Sequence, residues 1–78
     1  MKKYYKRVFL NKGKGVALVE IDDDGEGYGS VKITDCNRNI TLSCPTYSDK
    51  EKKNSIVKLD RLIEELVKYR RKMGGVDE

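Results

Sequence analysis

The chain has 78 residues, of which 38% are charged and 37% hydrophobic, with 17 Lys and Arg against 13 Asp and Glu. A chain of this length buries only about 60% of the surface that it exposes when unfolded, so few apolar side chains remain for a deep substrate pocket. Its longest apolar run, residues 16–19, is far below the ~18 residues of a membrane-spanning helix. These counts exclude a membrane protein and predict a single domain over residues 1–78.

The N-terminus and the cysteines predict a cytoplasmic protein. Residues 1–7 are basic, but only three apolar residues follow, whereas a signal peptide needs an apolar segment of ~7–15 residues. The strand parity derived below places Cys36 and Cys44 on opposite faces of a sheet, where a disulfide cannot join them. We therefore expect two reduced thiols, with Cys36 reactive and Cys44 protected.

Three extended segments open the chain. Residues 4–10 are rich in aromatic and β-branched side chains, and the glycines of residues 11–15 predict a hairpin leading to a second strand at 16–22. Residues 22–27 combine Asp with Gly, which is typical of a turn. A third strand is predicted over residues 28–35.

Apolar side chains alternate with polar ones in residues 31–35 and 40–44, which is the period of a sheet with one dry face and one wet face. The alternation predicts a turn at residues 36–39 and a fourth strand at 39–44. It also places five side chains toward the core: Val31, Ile33, Ile40, Leu42 and Cys44.

Beyond the fourth strand the sequence leaves two interpretations open. Pro45 either ends that strand or marks it as an edge strand, because proline has no amide hydrogen to donate to a neighbouring strand. The polar residues 47–54 predict a flexible loop. Residues 55–59 then form either a short fifth strand, with Asp60 capping a helix, or the start of a longer helix capped by Ser55.

A C-terminal helix is predicted over residues 61–73. Leu62, Leu66 and Met73 belong to a broad apolar stripe at spacings of three and four, so we expect this helix to pack across the dry face of the sheet. Gly74 and Gly75 end it, and residues 74–78 form a tail. The predicted fold is therefore α+β: an antiparallel meander of four or five strands followed by one amphipathic helix on one face.

No catalytic or metal centre is predicted. Without histidine the usual general base and zinc site are excluded, and Cys44 has no histidine to activate it. Glu20, Asp22 and Asp24 alternate as in a calcium loop, but the twelfth position is Val31, which cannot ligate. We expect no enzymatic activity, no cofactor and no metal.

Charge is unevenly distributed along the chain. Residues 1–19 carry six cations and no anions, residues 20–49 carry seven anions and two cations, and residues 50–78 carry nine cations and six anions. Such segregation favours a basic face, the usual footprint of nucleic-acid contact. Cations and aromatics also alternate, as in binders of single strands, which predicts a binding site made of Lys6, Arg7, Lys32, Tyr47, Lys50, Lys52 and Lys53. Tyr4, Tyr5, Phe9 and Tyr28 are further candidates for stacking surfaces in the same pattern.

Five parts follow one another from residue 28 to 73: the segment at 28–32, the turn at Asn37, the strand reaching residues 44–47, the charged loop and the helix opening at 57–60. This order of parts resembles the positive-coactivator-four and Whirly group of single-stranded DNA-binding proteins. It implies a curved antiparallel sheet, binding of single strands by Lys32, Tyr47 and the basic loop, and a homodimer through the C-terminal helix.

Two functions are expected from these patterns. The first is a small non-enzymatic module that binds nucleic acid, most plausibly single-stranded DNA or RNA, with an affinity that falls steeply as salt rises. The alternative is a phage- or mobile-element-type interaction or inhibitor protein that uses a sheet edge or the acidic turn against a protein partner.

Overall fold

The computed structural model describes residues 2–11 and 16–74. Four antiparallel strands form one sheet in the order β1-β2-β3-β4, and a single helix follows them, which confirms the predicted α+β meander. The elements are β1 (Tyr4–Phe9), β2 (Leu18–Asp23), β3 (Tyr28–Asp35), β4 (Arg38–Pro45) and α1 (Asp49–Lys72). Residues 12–15 of the predicted first hairpin lie outside the described residues, as do 75–78 of the predicted tail.

The strand register confirms the predicted alternation. Val31 pairs with Leu42 and Ile33 with Ile40, so these side chains share one face of the sheet. Ile40, predicted to be in the core, is nevertheless 58% exposed, because it lies on the edge strand β4. The cross-strand pairs of β1 with β2 and of β2 with β3 extend this face over all four strands, because paired residues point to the same side of the sheet. This surface, called the apolar face below, consists of Tyr4, Lys6, Val8, Val19, Ile21, Asp23, Gly29, Val31, Ile33, Asp35, Arg38, Ile40, Leu42 and Cys44.

The turn between β3 and β4 is tighter than predicted. It consists of Cys36 and Asn37, whereas the sequence predicted residues 36–39. Cys36 adopts a φ of 58°, an uncommon left-handed conformation for a residue with a side chain. Because the turn is short, Arg38 already pairs with Asp35 as the first residue of β4.

The helix begins earlier than either interpretation predicted. The alternative that residues 55–59 belong to a longer helix is confirmed, whereas its cap at Ser55, the loop at residues 47–54, the fifth strand and the cap at Asp60 are wrong. Ser48 is the N-cap, and its Oγ accepts a hydrogen bond from the Glu51 amide at 3.2 Å. Ser48 and Glu51 have the spacing of a capping box, and Asp49 and Glu51 favour the positive end of the helix dipole. Past this cap, no Gly or Pro interrupts the chain before residue 74.

α1 packs on the apolar face of the sheet, as predicted, through side chains of its N-terminal half. Ser55 is buried and donates to the Pro45 carbonyl at 2.7 Å, and Lys58 Nζ donates to the Ser43 carbonyl at 2.5 Å. A 24-residue helix is about 36 Å long, whereas an eight-residue strand spans about 27 Å, so the helix extends beyond the sheet. Leu66, predicted to be in the core, is 55% exposed.

The described residues therefore bury very little. Among the described residues, Leu18 and Cys44 are the buried hydrophobic side chains, and each is still 8% exposed.

Over the described ranges, no helix is long and apolar enough to cross a membrane.

Candidate nucleic-acid interface

In the described part of the chain, no helix lies on the second face of the sheet. Residues on α1, such as Ile56 and Leu59, share a cleft of about 170 Å³ with Ile21, Val31 and Cys44 of the apolar face, which places α1 on that side. The opposite parity therefore faces away from the helix. This surface, called the helix-free face, consists of Tyr5, Arg7, Phe9, Leu18, Glu20, Asp22, Tyr28, Ser30, Lys32, Thr34, Asn39, Thr41, Ser43 and Pro45.

Aromatic side chains stand exposed on the helix-free face. Tyr5 and Phe9 lie on β1, Tyr28 opens β3, and Tyr47 follows β4 with its ring centroid 5.8 Å from that of Tyr28. These four side chains are between 53% and 64% exposed. Nucleobases stack on aromatic rings of this kind whatever their sequence, because every base has a π-face.

Gly27 allows Tyr47 to reach this position. The Gly27 carbonyl accepts a hydrogen bond from the Thr46 amide at 2.8 Å, which brings the chain after β4 across the turn between β2 and β3. A Cβ on Gly27 would lie 2.6 Å from the Tyr47 Cβ, and the φ of Gly27 is +105°. Glycine is therefore required both for the close approach and for the backbone conformation.

Polar groups occupy the centre of the helix-free face. The register aligns Arg7, Glu20, Lys32 and Thr41 in one row across all four strands. The guanidinium carbon of Arg7 lies 5.4 Å from the centre of the Phe9 ring, within the range of a cation–π contact. This row offers two cations to phosphate groups, with one carboxylate between them.

Tyr5 and Glu20 are joined by a hydrogen bond. The Tyr5 hydroxyl donates to Glu20 Oε2 at 2.7 Å. This bond and the negative charge of Glu20 raise the pKa of Tyr5 above its ordinary value of 10.0, because both favour the protonated phenol. Tyr5 therefore keeps its phenol proton to a higher pH than an ordinary tyrosine.

The helix-free face is close to electrically neutral. Among the described residues of this face, Arg7 and Lys32 are the cations, and Glu20 and Asp22 are the anions. Exposed aromatic rings therefore dominate its described surface.

The residues predicted to bind nucleic acid do not all share this surface. Arg7 and Lys32 lie on the helix-free face, and Tyr47 lies at its corner beside Tyr28. Lys6 lies on the apolar face, because it neighbours Arg7 on the same strand.

The predicted basic loop is instead helical. Lys50, Lys52 and Lys53 stand in the first two turns of α1, interleaved with Asp49 and Glu51. Lys52 lines the cleft on the apolar side, and all three lysines are exposed. At 100° per residue, Lys50 and Lys53 lie on the side of the helix opposite Ser55.

The interleaving of cations and aromatics also indicated Tyr4, Tyr5, Phe9 and Tyr28 as stacking residues. Tyr5, Phe9 and Tyr28 lie on the helix-free face, whereas Tyr4 lies on the apolar face. No residue pattern indicated that Tyr47 would reach Tyr28, because that contact depends on the path of two turns.

The acidic turn between β2 and β3 uses its carboxylates internally. Asp23 Oδ1 accepts from the Gly25 amide at 2.8 Å, and Asp24 Oδ1 accepts from the amides of Glu26 at 2.8 Å and Tyr28 at 3.1 Å. These bonds stabilise the turn as local side-chain caps. Within residues 2–11 and 16–74, no group of three potential ligands could hold a metal ion.

No family model matches this chain, and neither a curated protein nor a solved structure matches it.

Proposed function

We propose that this chain is a non-enzymatic module that binds single-stranded DNA or RNA on its helix-free face. The observation that carries the proposal is the placement of Tyr5, Phe9, Tyr28 and Tyr47 as exposed rings on the side of the sheet that α1 leaves open. Stacking on such rings contributes about 1–3 kcal/mol per base. We place the module in the reducing cytoplasm, in keeping with the free thiols of Cys36 and Cys44.

With these charges, the affinity of the helix-free face for single strands should fall less steeply as salt rises than the charge distribution along the sequence predicted. Each phosphate neutralised on a single strand contributes about −0.7 to the slope of log K against log salt, so Arg7 and Lys32 together give about −1.4. A shallow slope of this size is expected when a single strand is bound mainly by stacking of its bases. A duplex does not expose its base faces, so it binds more weakly than a single strand.

The test is a fluorescence-anisotropy titration of the full chain with labelled DNA and RNA single strands longer than about 16 nucleotides, and with a duplex of equal length. Salt is varied from about 50 to 200 mM. Binding of single strands in preference to the duplex, with a shallow salt slope, supports the proposal. Absence of binding at the lowest salt contradicts it.

Lys32→Ala and Lys6→Ala form a matched pair for the same titration. Both remove one lysine from a strand, but Lys32 lies on the helix-free face and Lys6 on the apolar face. Lys32→Ala should weaken binding and reduce the size of the salt slope by about 0.7, whereas Lys6→Ala should leave the slope unchanged. Equal effects of the two variants would mean that the helix-free face is not the binding surface.

A protein partner at the β1 edge is the second candidate function. β1 pairs with β2 along one edge, and no described strand pairs with its other edge. Residues 2–7 hold four cations and no anions, so an added strand with acidic residues would fit this edge. An acidic peptide that protects β1 amides from hydrogen exchange, in a chain that binds no oligonucleotide, would favour this candidate.

A further inference from the structure

The helix-free face contains a polar depression near the middle of the sheet. Its volume is about 310 Å³, and it is lined by Tyr5, Glu20, Asp22, Ser30, Lys32 and Thr41. These residues come from all four strands. Ligand pockets begin at about 300 Å³, so the depression has room for one small ring system such as a single base.

Side-chain length explains why the sheet surface is low here. Ser30 pairs with Asp22, and Thr41 pairs with Lys32. Cross-strand partners point to the same side of the sheet, so short hydroxyl side chains alternate with longer ones in these two rows. The short side chains form the floor of the depression, and the longer ones stand around it.

Tyr5 forms a wall of the depression whose position is fixed. Its hydroxyl donates to Glu20 Oε2 at 2.7 Å, although its cross-strand partner is Asp22. The ring therefore leans toward the neighbouring row and is held there before any ligand arrives. Tyr5 is 59% exposed, so much of its ring remains available for stacking.

Asp22 and Ser30 place an acceptor and a donor side by side in the depression. Asp22 is exposed and Ser30 is half-buried. Neither side chain has a hydrogen bond or an ion pair with another described residue. An ionised carboxylate accepts through two oxygens, and a serine hydroxyl donates one hydrogen bond. The pair therefore offers two acceptors beside one donor to a ligand.

Guanine is the base whose Watson–Crick edge matches this pattern. Along that edge it presents the N2–H and N1–H donors followed by the O6 acceptor. Adenine and cytosine place a single amino donor beside a ring-nitrogen acceptor, and thymine and uracil hold their N3–H donor between two carbonyl acceptors. A carboxylate therefore accepts two parallel hydrogen bonds from guanine, whereas it meets a repelling acceptor on each of the other bases.

We propose that this depression selects guanine within a bound single strand. Asp22 accepts from N1–H and N2–H, and the Ser30 hydroxyl donates to O6, while the base stacks against the Tyr5 ring. Asp22 is the acceptor because Glu20 already accepts from Tyr5. Lys32, at the rim of the depression, stays with the phosphates and holds the strand over it.

This inference rests on the proposed function, since it requires a single strand on the helix-free face. It adds one position that reads a base to a surface that otherwise stacks every base alike. A good two-bond contact with the correct base is sufficient for a preference of about tenfold over the other bases.

The test compares labelled DNA single strands of about 16 nucleotides by fluorescence anisotropy with the full chain. Each strand consists of thymine with every third base replaced by guanine, adenine, cytosine or hypoxanthine, and isolated guanines avoid the association that guanine runs undergo. The guanine strand should bind about tenfold more tightly than the adenine and cytosine strands. Hypoxanthine keeps N1–H and O6 but lacks the N2 amino group, so its strand should fall between guanine and adenine.

Asp22→Asn and Asp35→Asn are the matched variants. Each replaces an exposed strand aspartate by its amide, but Asp35 has the parity of the apolar face. Asp22→Asn should bring the ratio of guanine to adenine affinity close to one, because an amide has only one acceptor oxygen, and it should keep the affinity for an all-thymine strand. Asp35→Asn should keep the guanine preference. A preference that survives in Asp22→Asn would refute the assigned role of Asp22.

The same titration separates this inference from the proposed function. Equal affinities for all four substituted strands would overturn the selection of guanine and leave single-strand binding in place. Absence of binding by every strand at low salt would overturn both. A guanine preference in the wild type that Asp22→Asn abolishes and Asp35→Asn retains would support both.

Discussion

The rings of Tyr28 and Tyr47 lie 5.8 Å apart with a 42° angle between their planes, although 19 positions separate the two residues in the sequence. The contact is possible because Gly27 has no side chain where the backbone of Tyr47 passes. Edge-tilted aromatic pairs at this distance are favourable. The pair therefore joins the turn before β3 to the segment between β4 and α1, and it forms one corner of the helix-free face.

Gly27→Ala should separate these two segments. The added Cβ would meet Tyr47 Cβ at 2.6 Å and Tyr47 Cα at 2.9 Å, and φ of +105° is unfavourable for alanine. We expect the free energy of unfolding to fall by about 1–3 kcal/mol, measured by urea denaturation. Tyrosine fluorescence should change as the ring contact is lost.

Gly74→Ala is the control for this variant. Gly74 has a φ of +97°, but a Cβ added to it would have no atom within 4 Å. It should cost only the backbone strain, about 1 kcal/mol. If both variants lose the same stability, the contact with Tyr47 does not contribute.

Ser55→Ala should loosen the attachment of α1 to the sheet. The Ser55 hydroxyl is the buried polar group that donates to the Pro45 carbonyl at 2.7 Å. Its loss should cost about 1 kcal/mol, the net value of a typical hydrogen bond. Hydrogen exchange of the amides of residues 52–60 should accelerate, because the helix is then held less firmly; unchanged exchange would show that the bond does not hold it.

The strands were predictable because their alternation is local. In residues 31–35 and 40–44 the period of two indicates both the strand and the face, and the register agrees with it. The start of the helix was missed because Ile56 and Val57 are β-branched and suggested a strand. The capping pair Ser48 and Glu51 was the available signal.

The extent of helix packing could not be predicted from the chain alone. The stripe through Leu62 and Leu66 indicates that this face of the helix is buried, but periodicity does not say whether the neighbour is this sheet or another molecule. In the candidate site, alternation placed Arg7 and Lys32 on one face, whereas the position of Tyr47 depends on the tertiary contact at Gly27.

The two cysteines should react at different rates with a thiol reagent in the native state. Cys36 is exposed in the turn between β3 and β4, and Cys44 is buried on the apolar face. We expect one thiol to react rapidly and the second only after denaturant is added. Cys36→Ser should abolish the rapid phase, and two rapid thiols in the wild type would contradict the burial of Cys44.

Glu20→Gln should alter both the titration of Tyr5 and the binding of oligonucleotides. The raised pKa of Tyr5 arises first from its hydrogen bond to Glu20, so removing the carboxylate should return that pKa toward 10.0. In the wild type the bond persists up to pH 10.0 and is lost as pH rises through the higher pKa of the folded state. Absorbance of tyrosinate near the alkaline end of the titration measures the change, and Tyr5→Phe identifies the phase that belongs to Tyr5.

The same variant tests the charge balance of the helix-free face. Glu20 lies between Arg7 and Lys32 in the cross-strand row, so it opposes the approach of phosphates to both cations. Neutralising it should tighten the binding of single strands at low salt, and the gain should shrink as salt rises because the interaction is screened. Glu64→Gln removes one carboxylate from the exposed surface of α1 and should leave binding unchanged. Equal gains from both variants would mean that the total charge of the chain, and not this face, controls binding.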